Sequence, residues 1–267
     1  MPTLLQYSHF RLGKKLEKEI NKSIRQISYN AWWEDHITYT WLSAVVPILK
    51  KTKLSGATEK RSIDCSLFKL RGRVEQHHGD VAVLVTQYFH DGLSVTGVGL
   101  LEAKACDRDT DGFSSLNSAQ LERLYKKAHY PKFLLYDRER IVSDCVELTH
   151  PDVLSDDFPR PHTTHSTAIT HAAVVPMHVM KSRNWRNRRA YRFAVPLSYQ
   201  LTYRYLLGLD LDTDAAIVNS VLSAKKREHA STYVLSISIA APPSGDSPTT
   251  PPPPLDDLYT RFDEQPD

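Results

Sequence analysis

Apolar residues recur along the chain first at helical spacing and then at strand spacing. Phe10, Leu12, Leu16, Ile20, Ile24 and Ile27 fall mostly three or four apart between Ser8 and Ile27, which predicts an amphipathic helix. A second helix is predicted from Ala31 to about Leu49, capped by Asn30, with Trp33, Ile37, Trp41, Leu42, Val45 and Ile48 as its apolar set. Pro47 implies a bend or an early end there. Lys50 to Lys60 reads as a polar turn, and Ile63, Cys65 and Leu67 then alternate as a half-buried strand. The β-branched run Val81 to Val85 follows Gly79-Asp80. Asp91-Gly92 signals a hairpin into the strand Leu93 to Ala105, where Gly97 and Gly99 permit a bulge or close backbone approach.

Ser118 to His129 has one apolar face and predicts a helix, stopped by Pro131, before the short strand Phe133 to Tyr136. Pro151 to Ser166 reads as a long loop and Ala172 to Met180 as a strand. Pro196 opens a helix to about Leu207, Asp214 caps another to about His229, and Tyr233 to Ile239 alternates as a final strand. From Ala241 onward the chain holds eight of its sixteen prolines and six acids against one base, so residues 241–267 read as a Pro-rich, acidic, disordered tail outside the fold. Residues 1–240 read as one domain.

Over 267 residues, 41% hydrophobic and 24% charged composition allows a packed core. No run of some 18 apolar residues predicts a membrane span, no leader is recognised, and three dispersed cysteines suit a reducing, cytoplasmic setting. With the acidic tail set aside, the body is moderately basic, which suits a polyanion partner.

The candidate chemistry lies on the hairpin. Side chains alternate along a strand, so Glu102 and Lys104 share a face and Ala103 points away from them. Centring the hairpin on Asp91-Gly92 brings Asp80 to the level of Glu102 on a neighbouring strand ~4.8 Å away. Carboxylates from Asp80 and Glu102, with the Ala103 carbonyl and waters, form an oxygen-ligand set for Mg²⁺ or Mn²⁺ rather than zinc. Lys104 beside such a cation could orient or deprotonate a water, with a lowered pKa. That is a hydrolytic site for a phosphodiester. The bland alternative for Glu102 and Lys104 is a cross-strand ion pair on a solvated face.

His77-His78-Gly79-Asp80, the apolar strand after it, and Glu102-Ala103-Lys104 together resemble the PD-(D/E)xK nuclease superfamily, the restriction-endonuclease-like fold. Gly79 stands where the family's name has proline. Glu34, with Ile37 and Thr38, resembles the helix-borne glutamate that many members add to the metal site, and Gln120 resembles a polar residue on the helix after the lysine strand. The resemblance spans about residues 30–180. It implies an α/β fold with a central mixed sheet flanked by helices, here with a helical C-terminal addition. It also implies metal-dependent cleavage of nucleic acid, DNA first, in restriction, phage defence or repair. Asp80, Glu102, Ala103 and Glu34 would be the metal ligands, with Lys104 and Gln120 joining them in catalysis. A homodimer, or a partner protein supplying target recognition, would suit such an enzyme. The alternatives are an inactive nucleic-acid-binding or interaction module on the same scaffold, and a nuclease subunit active only in a complex.

A second feature is the run Lys181, Arg183, Arg186, Arg188, Arg189 and Arg192, without an acid and interleaved with Trp185 and Tyr191. Arginine forks match phosphate oxygens and the rings could stack on bases, so this segment is the expected nucleic-acid contact.

Overall fold

A computed structural model describes residues 4–55, 60–70, 79–89, 92–107, 109–110, 112–113, 122, 125, 128–143, 168–183, 187–223, 231–240, 255 and 257–262. Two helices come first, α1 (Leu4–Arg25) and α2 (Glu34–Lys50). They are followed by β1 (Lys53–Ser55), β2 (Lys60–Leu70), β3 (Val81–Tyr88), β4 (Ser94–Ala105), β5 (Lys132–Ser143) and β6 (Ala168–Pro176). Short helices α3 (Met177–Arg183), α4 (Leu197–Tyr199, continued as a π turn to Tyr205) and α5 (Ala215–Leu222) surround the two-residue β7 (Val195–Pro196). The chain closes with β8 (Tyr233–Ala240) and β9 (Tyr259–Arg261).

The strands form one open mixed sheet in the order β1-β2-β8-β3-β4-β5-β6-β7, with β9 beside β2. β3 and β8 are parallel, as are β4 and β5, and the other pairs are antiparallel. The architecture is therefore α/β, a mixed sheet flanked by helices. Leu12, Leu16, Ile20 and Ile24 of α1 and Ile37, Trp41, Leu42 and Val45 of α2 pack on the face that carries Val81, Val83, Val85, Leu101 and Ala103. Each buried side chain of this kind is worth about 1.5–3 kcal/mol relative to exposure, so packing rather than propensity holds these helices. Ala82, Leu84, Val98 and Leu100 point to the opposite face and its separate core.

Several local expectations change. Asn30 does not cap α2: Tyr29–Ala31 form a 3-10 turn, Trp33 takes the N-cap position, and the helix begins with the acids Glu34 and Asp35, which suit its positive end. The Lys50 to Lys60 segment contains β1, paired back on β2. The strand expected over Ala172 to Met180 ends at Pro176, and α3 starts at Met177. The C-terminal part is more than a helical addition, because β8 lies between β2 and β3 and is buried on both faces. Nor is the tail wholly outside the fold: β9 pairs with Phe68 to Leu70 and Tyr259 is buried. Asp214 does cap α5, accepting from the Ala216 N–H. The loop from Pro151 to Ser166 and most of the helix from Ser118 to His129 lie outside the described residues, although Glu122 and Tyr125 are helical.

Candidate active site at the end of strand β4

β3 and β4 pair from Val81 opposite Leu101 to Tyr88 opposite Ser94, and the loop is closed by the Phe89 N–H on the Leu93 carbonyl. Gly92 turns this loop with a φ of +79°, a left-handed conformation that glycine adopts at no steric cost. One step beyond the ladder, the same register sets Asp80 opposite Glu102. Strand alternation then puts Asp80, Glu102 and Lys104 on one face, while Ala103 enters the α1/α2 core.

β4 runs past the start of β3, so its outermost N–H groups need other partners. The Asp80 carboxylate accepts from the Ala103 N–H at 2.8 Å, and the Glu34 carboxylate accepts from the Ala105 N–H at 3.3 Å. In an extended strand the N–H and C=O of one residue point to the same side, so the Ala103 carbonyl also faces Asp80. Lys104 Nζ lies 2.6 Å from Glu102 Oε1 and 3.5 Å from Glu34 Oε2. Glu34, Asp80, Glu102 and Lys104 thus lie at one strand end, while Gln120, the fifth side chain expected there, is outside the described residues.

Neighbouring elements hold them there. Tyr136 on β5 accepts from Trp41 Nε1 at 2.7 Å and shares a hydrogen bond with Thr38 at 2.8 Å, which fixes α2 to the sheet one turn after Glu34. Tyr233 on β8 donates to Asp35 at 2.8 Å, and Lys69 meets the same carboxylate at 3.3 Å. Gly79 sets the entry to Asp80 with a φ of +84°, and a Cβ there would lie 2.7 Å from the Leu101 carbonyl oxygen. Proline, locked near −65°, cannot take that conformation, which accounts for glycine at this position.

Glu102 and Lys104 are only 2% and 4% exposed. Burial, with the adjacent Glu102 charge, pushes the Asp80 carboxyl well above the usual aspartate range, and Lys104 and the Ala103 N–H only partly oppose this. Burial would lower the Lys104 ammonium, but Glu102, Glu34 and Asp80 outweigh it and hold it above the ordinary lysine value. Lys104 is therefore a firmly protonated cation here, in contrast to the lowered pKa expected from the sequence.

Three carboxylates around one ammonium leave an excess of negative charge in a poorly solvated place. That donor set, all hard oxygen, fits Mg²⁺ or Mn²⁺. Among the described residues no three acidic, histidine or cysteine side chains already converge as a metal-ligand group. At this site the Lys104 ammonium lies between Glu102 and Glu34, and Asp80 is engaged with the backbone.

The other sequence candidates fare differently. Gln120, Trp185 and Arg186, and the Arg183 side chain, lie outside the described residues. Lys181, Arg189 and Arg192 are exposed, and Lys181 sits over the Tyr125 ring at 5.0 Å. Arg188 is no open phosphate fork: it meets the buried Asp137 at 2.7 and 3.1 Å and Glu139 at 3.0 Å. Tyr191 is buried and donates to Asp137 at 2.8 Å, so its ring is not presented for stacking. Asp137 drew both inward because a buried carboxylate needs charged or hydrogen-bonding partners. The sequence reading passed over Trp32, which donates to the Cys106 carbonyl at 3.3 Å, and Arg138 and Arg140, of which Arg138 lies over the Trp32 ring. The signal available was an arginine pair spaced by two at the end of the apolar run Phe133 to Tyr136.

No protein-family model, characterised protein or solved structure matches the chain. Among the described residues no helix is long and apolar enough to cross a membrane.

Proposed function

We propose that the chain is a metal-dependent nuclease of the restriction-endonuclease-like type, hydrolysing phosphodiester bonds of nucleic acid, with DNA the favoured substrate. The observation that carries this reading is that one strand end holds Lys104 against both Glu102 and Glu34, with Asp80 on the neighbouring Ala103 N–H. A cross-strand ion pair on a solvated face, the bland alternative, does not suit side chains this buried.

A divalent cation held by Asp80, Glu102, Glu34 and the Ala103 carbonyl would polarise the phosphoryl group and acidify a water. Lys104, kept charged by its neighbours, suits a non-bridging phosphate oxygen on which charge builds in the transition state. It can also hold the attacking water by hydrogen bond. Glu34, the more exposed carboxylate, would take the water's proton and pass it to solvent. The water oxygen bonds to phosphorus, the P–O bond to the leaving oxygen breaks, and that oxygen takes a proton from solvent.

The closed contacts among Lys104, Glu102 and Glu34 favour one second reading, an inactive nucleic-acid-binding module on the same scaffold. A plasmid-nicking assay with Mg²⁺ or Mn²⁺ separates the two. The nuclease reading expects metal-dependent nicking by the wild type that falls at least a hundredfold in Lys104→Ala and Asp80→Ala. Nicking that persists unchanged in both variants would mean that the site is misassigned, and binding without cleavage under either metal would leave the inactive module.

A further inference from the structure

A groove of about 640 Å³ opens beside this site, between the last turn of α1 and an irregular stretch of β5. We propose that it binds a single-stranded polynucleotide and leads that strand to Lys104. The proposal rests on the nuclease reading in taking the strand to be the substrate.

The groove exists because β5 leaves its ladder. Tyr136 pairs with Ala172 and Ile141 with Thr170, so four residues of β5 stand against the single His171 of β6. A bulge of this kind re-aims side chains, and here it turns Arg138, Glu139 and Arg140 outward. Arg25, at the end of α1, joins the lining from the facing wall. Glu139 is the acid of this wall, and its carboxylate is already taken by Arg188 at 3.0 Å. Among the described lining residues the groove therefore presents the guanidinium groups of Arg25 and Arg140 to solvent, with Arg138 turned onto neighbouring rings, the chemistry that recognises phosphate.

An aromatic platform accompanies the charge. The Arg138 guanidinium lies over the rings of Tyr29 at 5.1 Å and Trp32 at 4.9 Å, and it donates to the Ile27 carbonyl at 3.0 Å. Rings beside arginines accept unpaired bases, whose faces are open, whereas a duplex hides its base faces in the stack. A concave groove of this size also does not admit the convex width of a duplex.

Position links the groove to the chemistry. Trp32 Nε1 donates to the Cys106 carbonyl at 3.3 Å. Trp32 also stands two residues before Glu34, whose carboxylate meets Lys104 at 3.5 Å, so the Trp32 side of the groove adjoins the strand end that carries the candidate catalytic lysine.

The test measures binding of fluorescent 12-nucleotide single-stranded DNA, single-stranded RNA and duplex DNA to the full chain in EDTA, where cleavage is suppressed. The double variant Arg25→Glu/Arg140→Glu changes two exposed side chains, and its folding is checked by circular dichroism. The expected results are tighter binding of single strand than of duplex, and at least a tenfold loss in the double variant. The salt dependence of log K should also become about 1.4 less steep in that variant, the effect of two lost phosphate contacts. The ratio of DNA to RNA binding identifies the sugar. Equal single-strand binding by variant and wild type, preference for duplex, or no binding would each overturn the proposal. If the binding pattern holds but no metal supports cleavage, the nuclease reading fails and the groove stands. If cleavage is seen and the variant binds normally, the groove fails alone.

Discussion

Asp80 and Glu102 face each other across the mouth of the β3–β4 hairpin, one step past its last paired residues, Val81 and Leu101. The same arrangement costs stability, since burial and the Glu102 charge raise the Asp80 carboxyl well above its usual range. At low pH both folded and unfolded chains hold the proton and no penalty arises. As pH rises, the unfolded chain ionises first, so the folded state loses ground from the ordinary aspartate range up through the raised value. Asp80→Asn removes this penalty and keeps an acceptor for the Ala103 N–H. Thermal unfolding at pH 8 should show a Tm about 2–6 °C above wild type, with the gain gone near pH 4. A lower Tm in the variant at pH 8 would contradict the assignment of burial and repulsion to Asp80.

Lys104 works in the opposite direction. Its removal leaves Glu102 buried beside two other carboxylates without their counter-charge. Lys104→Met should destabilise the fold by about 3–5 kcal/mol at pH 7, read from urea unfolding. The deficit should shrink toward pH 5 as a carboxylate takes up a proton. In the wild type the raised lysine pKa means that this contribution is present below the ordinary lysine range and fades only as pH climbs through the raised value. A loss under 1 kcal/mol at pH 7 would show that the lysine does not neutralise the cluster.

Gly79 holds the chain entering Asp80 in a conformation other residues resist. Gly79→Ala meets both the positive φ and the Leu101 carbonyl oxygen at 2.7 Å, and should cost about 1–3 kcal/mol. Gly79→Pro should be worse, because its ring excludes that φ. Chemical denaturation of the two variants checks the order, and equal stability to wild type would show that the turn relaxes freely.

Much of this site could be read along the chain because its determinants are local. The hairpin loop turned at Gly92 sets the register, strand alternation sets the shared face of Glu102 and Lys104, and Glu34 begins a helix of visible period. What escaped depends on distant partners. Nothing in Tyr233 to Ile239 marks it as the strand that enters between β2 and β3, since parallel pairing over such a separation leaves no turn signal. Arg188 and Tyr191 look like a nucleic-acid contact until Asp137, some fifty residues earlier, takes them inward. The tail reads as polyproline and acid, and composition averages out the Leu258-Tyr259 pair that docks on β2.

That docking carries its own prediction. Tyr259 is buried, and β9 covers the outer edge of Phe68 to Leu70. Deleting residues 255–267 should lower Tm by roughly 4–8 °C, from the apolar burial lost. An unchanged Tm would show that β9 adds nothing to the sheet.

The most direct test of the central claim is anomalous diffraction from crystals soaked in Mn²⁺. The expected result is a peak about 2.1 Å from carboxylate oxygens of Asp80 and Glu102, with the Lys104 ammonium drawn away from Glu102. Saturating Mn²⁺ with no peak between these residues, and Lys104 still seated on Glu102, would contradict it.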